Sequence, residues 1–77
     1  MIVPKLETGK FSLFRAQEET GIVLNNDNSS YSGNDDNYFK VFESLEQLIY
    51  FVKNEINNSN IEYLVYDSKG DFVQIIK

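Results

Sequence analysis

The stretch SLEQLIYFVKNEINNSNIEYLVYDSKGDFVQII, residues 44–76, decides the fold of this chain. A serine opens it and a glutamine follows three residues later, which is the form of a helix capping box. Apolar residues then recur at the i, i+3, i+4, i+7 and i+11 positions of one helix face. These residues are Leu45, Leu48, Ile49, Val52 and Ile56. The pattern predicts a helix over residues 44–57 whose apolar stripe faces the core.

Two strands joined by a tight turn follow the predicted helix. Residues 61–66 and 71–76 are rich in β-branched and aromatic side chains, and the sequence DSKG lies between them. Aspartate favours the start of a type I turn, and glycine supplies the left-handed residue that closes it. Upstream, residues 10–15, 20–24 and 38–42 have strand character, and Gly21 is placed to take a positive φ where the first two connect.

The order strand, strand, strand, helix, strand, strand predicts an α+β fold. We expect a small, mostly antiparallel sheet with one helix packed on one face. At 77 residues the chain has room for one hydrophobic core, so we expect a single domain over residues 1–77.

The last hairpin predicts that both faces of this sheet are covered. Tyr63 and Val65 alternate with Leu64 and Tyr66, so both sides of the strand are apolar. One helix is wide enough for only one face. The second face is therefore covered either by the loop at residues 25–37 or by another protein, since large exposed apolar patches mark interaction sites.

Composition excludes several classes of function. Twelve acidic and seven basic residues give a net charge of −5, which repels nucleic acid and anionic membranes and favours a basic protein partner. The chain has no cysteine, which excludes a cysteine nucleophile, and no histidine, which removes the commonest general base and the commonest zinc ligand. We expect no enzyme activity and no cofactor or metal. Residues 1–11 contain no apolar signal segment, which predicts a cytoplasmic location.

The segment at residues 25–37 is dominated by Asn, Asp and Ser and has no apolar period. The residues from Asp27 onward do not match the calcium-binding loop of an EF-hand, because Ser32 stands where glycine is required and Tyr38 where a bidentate glutamate is required. We expect a solvated loop that is mobile in the free protein. Tyr31 is suited either to becoming ordered against a partner or to packing on the sheet.

Residues 38–47, YFKVFESLEQ, and 61–71, IEYLVYDSKGD, together resemble small single-domain immunity proteins of bacterial toxin–immunity systems. Those proteins pair a strand and an F-x-S-L-E-x helix with a terminal I-E-x-x-V-Y-D-x-K-G hairpin. The resemblance spans about half the chain. It implies a non-catalytic inhibitor that binds a cognate toxin, without a cofactor. Binding residues in these systems differ from pair to pair, so the resemblance assigns no site by position.

The residues themselves suggest where a partner binds. We expect acidic side chains to speed the encounter with a basic partner and exposed tyrosines to hold it. On the helix, Tyr50 and Phe51 lie beside the apolar stripe, either as flanks of a broad buried face or as an aromatic anchor. The candidate partner-binding residues are Asp27, Tyr31, Asp35, Asp36, Tyr38, Glu46 and Tyr50. The alternative function is a self-associating, homodimeric structural or accessory module that buries the open sheet face.

Overall fold

The computed structural model describes residues 2–31, 33, 37–55 and 60–77. Within these residues, five strands and one helix follow one another in the predicted order. They are β1 (Phe11–Gln17), β2 (Val23–Leu24), β3 (Phe39–Phe42), α1 (Leu45–Glu55), β4 (Ile61–Tyr66) and β5 (Phe72–Ile76). The predicted α+β class, with one helix packed on a mostly antiparallel sheet, is confirmed.

β1 lies at the centre of the sheet and has neighbours on both edges. β4 pairs with one edge of β1, and β5 pairs with β4. The other edge of β1 is shared by two short strands, with β3 along its first half and β2 along its second half. Every pairing is antiparallel. β2 is only two residues long, shorter than the predicted strand at 20–24.

The helix packs on the face of the sheet that carries Leu13, Tyr63 and Val65. Leu48 and Val52, one turn apart on α1, are fully buried against these three residues. Leu45 and Ile49 pack at the margin of this core, as the stripe predicts, whereas Ile56 lies outside the described residues.

Local hydrogen bonds mark the start of the helix. The Gln47 backbone N–H donates to the Ser44 hydroxyl at 3.2 Å, so Ser44 is the N-cap. Glu46 adds negative charge to the first turn, where the helix dipole favours it. The helix is described to Glu55, and its predicted end at residue 57 lies outside the described residues.

The turn between β4 and β5 has the predicted form. The Asp67 carboxylate accepts the backbone N–H groups of Lys69 and Asp71, each at 2.9 Å. Gly70 has a φ of 85°, and its N–H donates to the Asp67 carbonyl at 3.1 Å. A side chain at Gly70 would be strained in this left-handed conformation, which is why glycine closes the turn.

The second face of the sheet is covered by the chain itself near β1. Phe14 points away from the helix and is fully buried, with its ring against those of Tyr38, Phe39 and Tyr66. Residues preceding β1 also fold back here, because the Tyr38 hydroxyl donates to the Ile2 carbonyl at 2.8 Å. The sequence predicted a cover from the loop at residues 25–37 or from another protein, and not from this N-terminal segment.

Candidate functional site

Asp27 lies in a compact turn at the start of the Asn-rich segment. Its carboxylate accepts hydrogen bonds from the Ser29 hydroxyl at 2.6 Å and the Ser29 N–H at 3.0 Å. These bonds stabilise the charged form and lower the pKa of Asp27 below its usual value. The Asn25 N–H also donates to the Ser29 carbonyl at 2.7 Å, which closes the turn. Asp27 therefore presents a fixed, exposed negative charge.

The first half of the segment predicted as a loop is tied to the sheet. The Tyr31 N–H donates to the Val23 carbonyl at 3.0 Å, and the Asn26 side chain donates to the Phe39 carbonyl at 3.1 Å. These bonds hold residues 25–31 beside β2 and β3. The predicted mobility of the whole segment stays a prediction, since residues 32 and 34–36 lie outside the described residues.

Tyr31 and Tyr38 form a ring pair on the second face of the sheet, with centroids 4.4 Å apart. Tyr38 is only 8% exposed, and its hydroxyl is used by the Ile2 carbonyl. It supports the aromatic cluster around Phe14 and presents little surface to a partner. Tyr31 is half-buried, so its position fits packing on the sheet, which is one of the two roles expected for it.

The outer face of α1 carries the other predicted residues. Tyr50 is 72% exposed, and it lines a shallow depression with Glu46 and Gln47. The Tyr50 carbonyl accepts a hydrogen bond from the Asn54 side chain at 2.8 Å, one turn further along. Phe51, by contrast, packs at the margin of the core, so the two neighbouring aromatic residues have different roles.

The structure does not bring the predicted residues into one surface. Tyr31 and Tyr38 belong to the aromatic cluster on the second face, whereas Glu46 and Tyr50 lie on the far side of the helix that covers the first face. The sheet separates the two groups. Asp35 and Asp36 lie outside the described residues.

Arg15 is a polar residue of the core, and it was not among the site residues expected from the sequence. It is 3% exposed, and its Nη1 lies 2.7 Å from the Glu55 Oε2 at the end of α1. The Arg15 guanidinium also lies over the Phe51 and Tyr63 rings, at 5.9 and 5.6 Å from their centroids. The alternating pattern of β1 indicates the burial of Arg15, because Arg15 follows Leu13 by two residues and so lies on the same inward face of the strand.

Among the described residues, several polar atoms around Arg15 have no hydrogen-bond partner. They include its Nε and Nη2 atoms and the Tyr63 hydroxyl. The contact with Glu55 is close but poorly aligned as a hydrogen bond, so attraction between the charges accounts for it. Burial raises the pKa of Tyr63, although the positive charge of Arg15 opposes this shift.

Other kinds of site are not formed by the described residues. Within that part of the chain, no three His, Cys, Asp or Glu side chains lie together as a metal site requires. No helix there has the length and apolar character needed to cross a bilayer. No family model, curated protein or solved structure matches this chain.

Proposed function

We propose that this chain is a non-catalytic, protein-binding inhibitor that neutralises a cognate bacterial toxin. The observation that carries the proposal is the exposed Tyr50 ring beside the Glu46 carboxylate on the outer face of α1. This surface is the docking site in the proposal, and it replaces the larger surface that the sequence suggested.

The exposure of Tyr50 is best explained by a partner. The core packing of the helix is supplied by Leu48 and Val52, so the Tyr50 ring contributes little to it. Tyrosine has a large, rigid ring and a hydroxyl that bonds across an interface, which is why it is common among residues that dominate binding energy. The position of Tyr50, in the middle of an 11-residue helix, lets neighbouring residues exclude water around it.

Charge favours a basic partner. The chain carries a net charge of −5, and Glu46 adds a carboxylate at the rim of the Tyr50 surface. Such a field raises the association rate with a cationic surface and weakens as salt screens it. An inhibitor of this kind acts by covering a surface of the toxin, and the resemblance of residues 38–47 and 61–71 to immunity proteins supports that reading.

The proposal predicts that a toxin is encoded next to this chain in its source genome, and the test uses the product of the neighbouring reading frame. We expect the purified chain to bind that product and abolish its toxicity. Tyr50→Ala should raise the dissociation constant about 30-fold through faster dissociation, since the loss of a central tyrosine costs about 2 kcal/mol. Ile22→Ala is the matched control, because Ile22 is an exposed apolar residue between β1 and β2.

The contribution of charge is tested separately. Glu46→Gln should slow association at low salt and leave dissociation nearly unchanged, with the exposed Glu19→Gln as the control.

Equal affinities for the Tyr50→Ala and Ile22→Ala variants would show that α1 is not the docking surface. A neighbouring product that does not bind the wild-type chain would contradict the toxin-inhibitor function itself.

A further inference from the structure

We infer that two copies of this chain exchange their N-terminal arms, residues 2–6, so that each arm lies on the second face of the other copy's sheet. In the structure the arm occupies this place on its own copy. The Tyr38 hydroxyl donates to the Ile2 carbonyl at 2.8 Å, and the Leu6 N–H donates to the Ser68 carbonyl at 2.9 Å. The arm is thus held at both ends, at the ring cluster around Phe14 and at the turn after β4.

The occupant of this place is a second copy because the contacts are made by the chain's own sequence. Both hydrogen bonds use backbone groups of the arm, and Val3 lies beside Gly70 of the turn. The arm lies outside the strands of the sheet, and Pro4 has no N–H with which to extend a strand ladder. An identical arm from a second copy therefore makes the same contacts, which is how identical elements are exchanged between protomers.

One tight turn decides whether the arm folds back onto its own copy. The Lys10 N–H donates to the Glu7 carbonyl at 3.1 Å, and Gly9 between them has a φ of 90°. A positive φ at the third residue is typical of a type II turn and favours glycine there. When this turn straightens, residues 7–10 lead the arm away from its own sheet. Strain in such a short hinge favours exchange between copies.

Exchange also covers apolar surface that one arm leaves open. Val41 pairs with Ser12, and Phe72 pairs with Tyr66, which itself pairs with Ser12. Val41 and Phe72 therefore lie on the second face near the start of β1, where they are 44% and 56% exposed. The five residue steps between the arm and β1 reach at most about 18 Å. An exchanged arm thus holds the second copy close to these two side chains.

Concentration decides between the closed and the exchanged forms. A short tether gives the arm an effective concentration in the millimolar range at its own sheet, and a second copy competes with that value. The net charge of −5 on each copy opposes association, but salt at about 0.15 M screens it over about 8 Å. We expect the wild-type chain to be mostly monomeric at about 10 µM and to dimerise towards about 1 mM.

A hinge substitution tests the exchange by sedimentation velocity over this concentration range. Gly9→Val should strengthen dimerisation about tenfold or more, because a β-branched residue is strained at this φ and the strain is relieved when the turn opens. A side chain at Gly9 meets no atom within 4 Å, so steric clash does not contribute. Gly21→Val is the matched control, since Gly21 has a φ of 72° and equally open surroundings in the turn between β1 and β2. Circular dichroism establishes that each variant is folded.

Single cysteines identify the contact in chains that keep the native hinge, since the sequence has no cysteine of its own. The bonded backbone atoms of Leu6 and Ser68 bring the two residues within disulfide distance. A mixture of Leu6→Cys and Ser68→Cys chains at about 1 mM should therefore form a mixed disulfide when the arms are exchanged. The control replaces the second chain by one with Glu19→Cys, at an exposed position in the turn after β1.

Three results would each overturn the inference. They are a Gly9→Val chain that stays monomeric at about 1 mM, equal dimerisation of the Gly9→Val and Gly21→Val chains, and a mixed disulfide no more abundant with Ser68→Cys than with Glu19→Cys. The inference does not rest on toxin binding, because Tyr50 lies on the far side of the helix and outside the surface that the arm covers.

Discussion

Removing the charge of Glu55 should destabilise the protein by leaving the Arg15 guanidinium buried without its counter-ion. Arg15 is 3% exposed, and the two charged atoms are 2.7 Å apart. Breaking a fully buried pair costs about 3–5 kcal/mol. The Glu55 side chain is 34% exposed, and the Phe51 and Tyr63 rings still stabilise the guanidinium, so we expect Glu55→Gln to cost about 2 kcal/mol.

A loss of this size is large for such a small chain. A domain of this length has a free energy of unfolding of about 4–12 kcal/mol. With a urea dependence of about 1 kcal/mol per molar for a small protein, the unfolding midpoint should fall by about 2 M. Urea unfolding followed by circular dichroism measures this shift. Glu19→Gln, an exposed glutamate, should leave the midpoint unchanged.

A double substitution separates the buried charge from simple loss of contact. Arg15→Met combined with Glu55→Leu removes both charges and keeps apolar volume, so its stability should lie within about 1 kcal/mol of the wild type. The reasoning is refuted if Glu55→Gln matches the wild type within about 0.5 kcal/mol, or if the double variant is less stable than Glu55→Gln alone.

Three further predictions concern the two faces of the sheet. Val52→Asp should prevent folding, because it buries an unpaired carboxylate in the core. The control Lys53→Asp, at an exposed position, should keep a cooperative thermal transition. A Val52→Asp variant that melts cooperatively would show that the helix face is misassigned. Tyr63→Phe should be neutral or stabilising in urea, since no described residue bonds to the buried hydroxyl. Burial raises the pKa of Tyr63, so the stability gained by keeping this phenol neutral is complete below the unfolded pKa of about 10 and is lost as pH rises through the folded pKa. The wild type should therefore lose more stability than Tyr63→Phe above about pH 10. Parallel curves of stability against alkaline pH would contradict this. Tyr38→Phe should cost about 1 kcal/mol by removing the hydrogen bond to the Ile2 carbonyl, and unchanged unfolding midpoints would argue against that anchor.

The sequence alone determined the elements that short-range interactions specify. The Ser44 cap, the apolar stripe of α1 and the turn from Asp67 to Gly70 depend on residues within about one helical turn of one another, so a linear pattern records them. These elements were enough to predict the α+β class and the helix-covered face. They also identified Tyr50 as a candidate anchor, because its position relative to the stripe follows from helix geometry.

Only the tertiary structure decided which residues share a surface. β1 and Ile2 lie far from Tyr38 in the sequence, yet their contacts with it decide that Tyr38 is buried. Arg15 became a core residue because Glu55, forty positions later, supplies its counter-ion. Burial and charge pairing depend on atoms brought together by folding of the whole chain, and one pattern of strands permits several pairing orders. For that reason the sequence predicted one partner-binding surface, whereas in the structure the described residues of that surface lie on two sides of the sheet.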